Sequence, residues 1–196
     1  MNEQTLTTFF VLVALGCMAA TVLIALGAIV MATGRAPNWL VGMRNDLGRA
    51  ALRIAPLVAA GATLGSLYYS EVVGYVPCVL CWGQRIFMYP LALVLTVGAI
   101  RNDLGVRAYG LVLAIPGAAI SIYHSWLQAY PRATSFCTVD APCAERHVWE
   151  FGFVSIPLMA LSAFGFVIAL LLVARPTPVG ERAGVSSADV NVEAHS

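Results

Sequence analysis

The sequence predicts an all-α membrane protein with five transmembrane helices, and three observations carry that reading. Hydrophobic residues fill 60% of the 196 positions and charged residues only 11%, where soluble domains are about a quarter charged. Five apolar runs are long enough, or nearly so, to cross a bilayer as helices. The arginines divide unevenly among the connecting loops, the pattern that orients membrane proteins. All 11 basic residues are arginine, and the formal net charge of +1 gives no reason to expect a nucleic-acid partner.

The first run covers 9–32. Its leader, MNEQTLTT, carries Glu3 and no arginine, and the run is much longer than the apolar core of a signal peptide, so it reads as a retained span. The connector TGRAPNWLVGMRNDLGRAALR follows, with Trp39, Leu40, Met43 and Leu47 at helical spacing among arginines. It is either a short helix lying on the inner membrane surface or a solvated connector with a Trp anchor. Further spans are predicted over 54–69, 81–100, 108–127 and 151–174. Pro90, Pro116 and Pro157 suggest kinks in a packed bundle, because neighbours must satisfy the carbonyls they free. Gly16 with Ala20, and Gly61 with Gly65, allow close helix contact. The polar tail PTPVGERAGVSSADVNVEAHS is predicted to be disordered, with His195 a surface residue.

Sidedness follows from charge. Arg35, Arg44, Arg49, Arg53, Arg101, Arg107, Arg175 and Arg182 fall on one side, and only Arg85, Arg132 and Arg146 on the other. The first group belongs in the cytoplasm, which puts the N-terminus outside and the C-terminus inside. Both close cysteine pairs, Cys78/Cys81 and Cys137/Cys143, then lie outside the cytoplasm, where disulfides persist. Cys17 has no partner on its span and reads as a packing residue.

The chemistry gathers around PCVLCWGQR. Pro77 suits the start of a helix, so Cys78 to Cys81 are expected in the first turn of the third span. Helix N-termini present unpaired N–H groups that favour a thiolate. Arg85, four residues past Cys81, shares its face. Only fifteen residues separate Arg85 from Arg101, about 22 Å of helix, so the span must borrow residues upstream and draw Arg85 below the surface. There it either holds a negative charge (a thiolate or a carrier's oxyanion) or snorkels to the headgroups.

Cys137 and Cys143 bracket five residues, and Asp140 to Pro142 supply turn chemistry that would let the pair close a ring. The pair is either a structural staple or an exchange disulfide, and a loop this short gains little from a staple. A zinc site gathering all four cysteines is disfavoured by the wide second spacing. His124, in SIYHSWLQ, is placed at about the depth of Arg85, to hydrogen-bond a carrier or simply a neighbouring helix. His147 and Glu150 read as loop charges, and Glu71 either acts electrostatically on the nearby CxxC or is a solvated helix-end residue.

The strings SEVVGYVPCVLCWGQRIFMYPL, SIYHSWLQ and WEFGFVSIPLMAL, with a C-x5-C loop before the last, resemble the DsbB family of membrane thiol oxidases, most closely its short-loop BdbC-type members. The resemblance implies a four-helix bundle over 54–174; the extra transmembrane helix and amphipathic loop over 1–53 and the disordered cytoplasmic tail over 175–196 depart from that four-span pattern. It also implies a quinone cofactor, ubiquinone or menaquinone, and a DsbA-like thioredoxin-fold partner. By that resemblance Cys81 lies nearest the quinone with Arg85 and His124 beside it, Cys78 faces outward, and Cys137 and Cys143 take electrons from the partner. Vitamin K epoxide reductase homologues also join a CxxC bundle to a quinone, with the two pairs in the opposite order. A protein that conducts reducing electrons outward, and a non-enzymatic membrane scaffold with structural disulfides or a bound metal, are the remaining alternatives.

Overall fold

The computed structural model describes residues 3–34, 37–131, 137 and 142–175. Its helices are α1 (Glu3–Ala32), α2 (Asn38–Leu67), α3 (Val79–Arg101), α4 (Val106–Ala129) and α5 (Ile156–Val173), with a π-helical stretch, Tyr68–Val72, continuing α2. All five are long and apolar enough to cross a membrane. Among the described residues the only β pairing is an isolated bridge, Glu150 with Val154. This is an all-α, multi-pass membrane protein. The tail 176–196, with Arg182 and His195, and Arg35, Arg132 and Asp140 lie outside the described residues.

Helices α2, α3, α4 and α5 close a four-membered ring, each packed against its neighbours, while α1 lies outside it along α5 and scarcely touches α2. Leu91 and Leu95 of α3 meet Phe164, Val167, Leu170 and Leu171 of α5 at the centre, all with no exposed surface. The lipid-facing positions, Leu93 and Val97 or Val112 and Ile115, are as apolar as the core. A bilayer solvent removes the polar face that an amphipathic helix would otherwise show.

Three expectations are revised. The arginine-rich connector is helical but not a separate surface helix, because it is the first half of α2. Its small face, Gly48, Ala51 and Leu52, is buried, and the Arg175 N–H donates to the Gly48 carbonyl at 2.9 Å, which fastens it to the end of α5. Pro157 makes no kink, since it occupies the first turn of α5, where its missing N–H removes no helical bond. The apolar residues before it turn instead, with Phe151 at φ 52° and Gly152 at φ 78°. Of the glycines picked as contacts, only Gly65 is closely approached, by the Phe10 ring, while Gly16 and Gly61 face open space.

Gly117 and Gly98 are the most tightly packed glycines, and at Gly117 an added Cβ would fall directly on the Phe164 ring. Gly117→Ala is expected to cost about 1–3 kcal/mol, read as a lower thermal midpoint in detergent. Gly16→Ala, made at an open position, should leave the midpoint unchanged or raise it; equal effects at the two sites would contradict this packing.

Candidate functional site

Pro77 delivers the chain to α3, and Cys78 is the residue that caps it, with φ −70° and ψ 170°. Its sulfur accepts the Cys81 N–H at 3.4 Å, the task usually given to Ser, Thr or Asp. The Cys78 and Cys81 sulfurs are 3.1 Å apart, close enough to share a hydrogen bond. The His124 Nε2 lies 3.7 Å from the Cys78 sulfur. The bond shared with Cys81 holds the Cys78 thiol well below the usual thiol range, overcoming burial, with help from His124 and the Cys81 N–H.

His124, on α4, is only 2% exposed. Its Nδ1 accepts from the Gln84 amide at 3.3 Å and its Nε2–H donates to the Cys143 carbonyl at 3.0 Å. A carbonyl can only accept, so Nε2 carries the proton shared with Cys143. One turn further along α4, Gln128 donates to the Glu145 carbonyl at 2.7 Å, and the Arg146 guanidinium donates to the Gln128 carbonyl, with its Nε at 3.0 Å. Arg146 also lies 3.9 Å over the Trp149 ring. Two residues spaced i, i+4 on one helix thus hold the segment after Cys143 in place.

Cys137 and Cys143 are joined as a disulfide, with Cα atoms 5.8 Å apart. The pair is therefore not available as thiolate ligands to a four-cysteine zinc site. Cys143 is 2% exposed and forms a buried cluster with Cys78 and Leu127, against which Leu80, Cys81 and Cys137 pack. The two cysteine pairs, 56 residues apart between Cys81 and Cys137, are brought into one cluster. The sulfurs of Cys78 and Cys81 and a ring nitrogen of His124 also lie within 4.8 Å of one another, a grouping able to ligate a metal.

Arg85 is 9% exposed. Its Nε donates to the Ser66 hydroxyl at 3.0 Å and its Nη2 to the Ser66 carbonyl at 2.9 Å, with Trp82 alongside at 5.5 Å. Among the described residues no carboxylate neutralises it, so the charge remains at the wall of a cavity of about 380 Å³. That volume lies in the range of about 300–1,000 Å³ usual for small-molecule sites. Cys81, Arg85, Ser66 and Tyr89 are among its polar lining residues, and most of the lining surface is apolar. Among the described residues the buried Tyr89 hydroxyl has no hydrogen-bond partner. A buried cation, a thiol and an orphaned hydroxyl on residues lining one apolar hollow fit an amphipathic ligand with an oxygen-bearing headgroup.

Cys78 and His124 do not line this cavity. With Cys143 they line a crevice of about 30 Å³, and Cys81 borders both spaces. His124, expected beside a carrier, stands on the side of the loop disulfide. His147 also borders both spaces and stacks on Tyr75 at 4.7 Å, so it is more than a loop charge. Glu150 accepts from Gln4 at 3.1 Å, Glu71 accepts from Ser70, and Cys17 is buried at the cavity wall. Gln84, Ser66, Tyr89 and Gln128 were missed by sequence reasoning. The available signal was that each is a polar group within an otherwise apolar run, where an unpaired group is costly.

A model of the family described as disulfide bond formation protein DsbB matches residues 48–174. The chain belongs to the DsbB family. It is 44% identical over 117 residues to disulfide bond formation protein C of Bacillus subtilis, which covers 59% of this chain and 85% of that protein. It is 42% identical over 121 residues to the probable disulfide formation protein C of Halalkalibacterium halodurans, covering 60% and 88%. It is also 42% identical over 132 residues to a probable disulfide formation protein of Deinococcus radiodurans, covering 61% and 85%. No solved structure matches the chain. The DsbB match takes in most of α2 and all of α3 to α5, and leaves α1 outside it.

In the reduced state, Cys78 should alkylate at a rate that stays nearly constant from neutral into mildly acid pH, since a depressed thiol remains thiolate until the pH falls below its own value. An ordinary cysteine loses reactivity below about pH 8.5. His124→Ala should move the midpoint upward, as followed by site-resolved mass spectrometry with a small alkylating reagent. An unmoved midpoint would show that the ring does not support the thiolate.

Proposed function

We propose that this protein is a membrane thiol oxidase that takes electrons from a thioredoxin-fold, DsbA-like dithiol partner outside the cytoplasm and passes them to quinone, ubiquinone or menaquinone. The observation that carries the proposal is the position of Cys81, the one cysteine bordering both the crevice beside the loop disulfide and the large cavity with Arg85. Family membership supports the disulfide chemistry. The charge asymmetry of the loops supports an outward-facing cysteine end.

A partner thiolate attacks the Cys137–Cys143 disulfide, which opens to a mixed disulfide and then, as the partner's second thiol closes, to a loop dithiol. Cys137 is the more accessible of the two, with Cys143 buried against Cys78. The loop dithiol reduces a Cys78–Cys81 disulfide by the same two-step exchange, so each bond broken is matched by one formed. Closing the Cys78–Cys81 disulfide again releases two electrons and two thiol protons, for which a quinone held beside Cys81 would be the acceptor. Arg85 offers its remaining N–H donors and its charge to a headgroup oxygen, and Tyr89 offers its free hydroxyl. His124 holds the Cys143 carbonyl and steadies negative charge on Cys78.

The test is quinone reduction by a reduced thioredoxin-fold protein. Cys81→Ser and Cys137→Ser are each expected to abolish turnover. Full turnover in either would overturn the relay, whereas wild-type protein that transfers no electrons would favour a scaffold or metal site at Cys78, Cys81 and His124. Arg85→Gln should raise the KM for quinone roughly 10- to 100-fold, the loss of a charged hydrogen bond. Tyr89→Phe should raise it by about two- to tenfold, as befits a neutral one.

A further inference from the structure

We infer that α1, the helix outside the DsbB match, forms with α2 a cleft open to the side that admits the isoprenoid tail of the carrier. The inference rests on the quinone reading above and adds a tail site to it.

Helices α1 and α2 both pack on α5 but scarcely on each other, so a groove floored by α5 runs between them. The groove is the apolar part of the cavity that holds Cys81 and Arg85 at its other end. On α2 the lining extends from Ser66 to Leu57, nine residues or about 13 Å of helix. On α1 it extends from Phe9 to Cys17, in step with α2. Val13 is 47% and Leu57 72% exposed, so the groove opens sideways between the helices.

The cysteine end of the groove is closed. Tyr75 donates its hydroxyl to the Glu3 carboxylate and Gln4 donates to Glu150, both at 3.1 Å. The Phe10 ring lies against Gly65 and 6.0 Å from Tyr69. A headgroup held at Arg85 therefore leaves only the lateral cleft for its tail. Polar groups at the closed end and apolar walls along the open one match a molecule with a polar head and a long hydrocarbon chain.

Gly61 lies in the α2 wall, and an added Cβ there meets nothing within 4 Å. Gly61→Trp would fill the groove without forcing the backbone. The full-length protein in lipid nanodiscs would be assayed with two quinones sharing one headgroup, one with a long isoprenoid tail and one with none. The ratio of the long-tail to the tail-less KM should rise at least about tenfold in Gly61→Trp, from lost apolar burial. Val13→Trp, from the opposite wall, should act in the same direction, with exchange between Cys137–Cys143 and a dithiol confirming that both variants fold. An unchanged ratio in both variants overturns the cleft, and would mean the groove holds only bilayer acyl chains. Wild-type protein that reduces neither quinone would instead remove the carrier reading itself, a different failure visible before any variant is made.

Discussion

Burying the first turn of a helix inside an apolar bundle leaves backbone N–H groups with no water to turn to. In α3 that demand is met by a sulfur. Cys78 caps the helix, accepts the Cys81 N–H, and sits within reach of the second thiol and of His124. The backbone requirement and the polarised thiol are one arrangement. Arg85 follows from the same helix, one turn below Cys81, and is fixed by Ser66 of α2.

Around this point the two cysteine pairs are joined by α4 rather than by loop length. His124 and Gln128 grip the carbonyls of Cys143 and Glu145, so the short segment is held over Cys78 without a long connection. Long flexible loops must lose conformational entropy each time they dock, and a strap already bonded to a helix has lost it on folding. The deeper cavity obeys the opposite rule. Among the described residues its charge is left without a carboxylate and the Tyr89 hydroxyl without a partner, an expensive combination unless a ligand completes it.

Much of the fold was legible because membrane helices announce themselves through uninterrupted apolar length, and all five spans lie within or near the predicted runs. The placement of Cys78 and Cys81 at the start of α3 was legible from Pro77, and the burial of Arg85 from the shortness of the run behind it. The continuity of α2 was not, because arginines and proline-flanked polar residues resemble a surface connector until Gly48 and Ala51 are seen against the end of α5. Nor was the side on which His124 stands, since helical spacing gives a residue's face but not which neighbour occupies it.

By itself the sequence determined that the chain spans a membrane through α-helices, that two thiols open one of those helices, and that a cation lies a turn below them. These are local matters of apolar length, capping and helical pitch. Only the tertiary structure decided that Cys143 meets Cys78, that Cys81 borders two spaces, that Tyr89 and Ser66 share a wall with Arg85, and that α1 stands apart from α2. Those relations depend on how helices distant in sequence pack, and in an apolar chain nearly every face is chemically able to pack against any other.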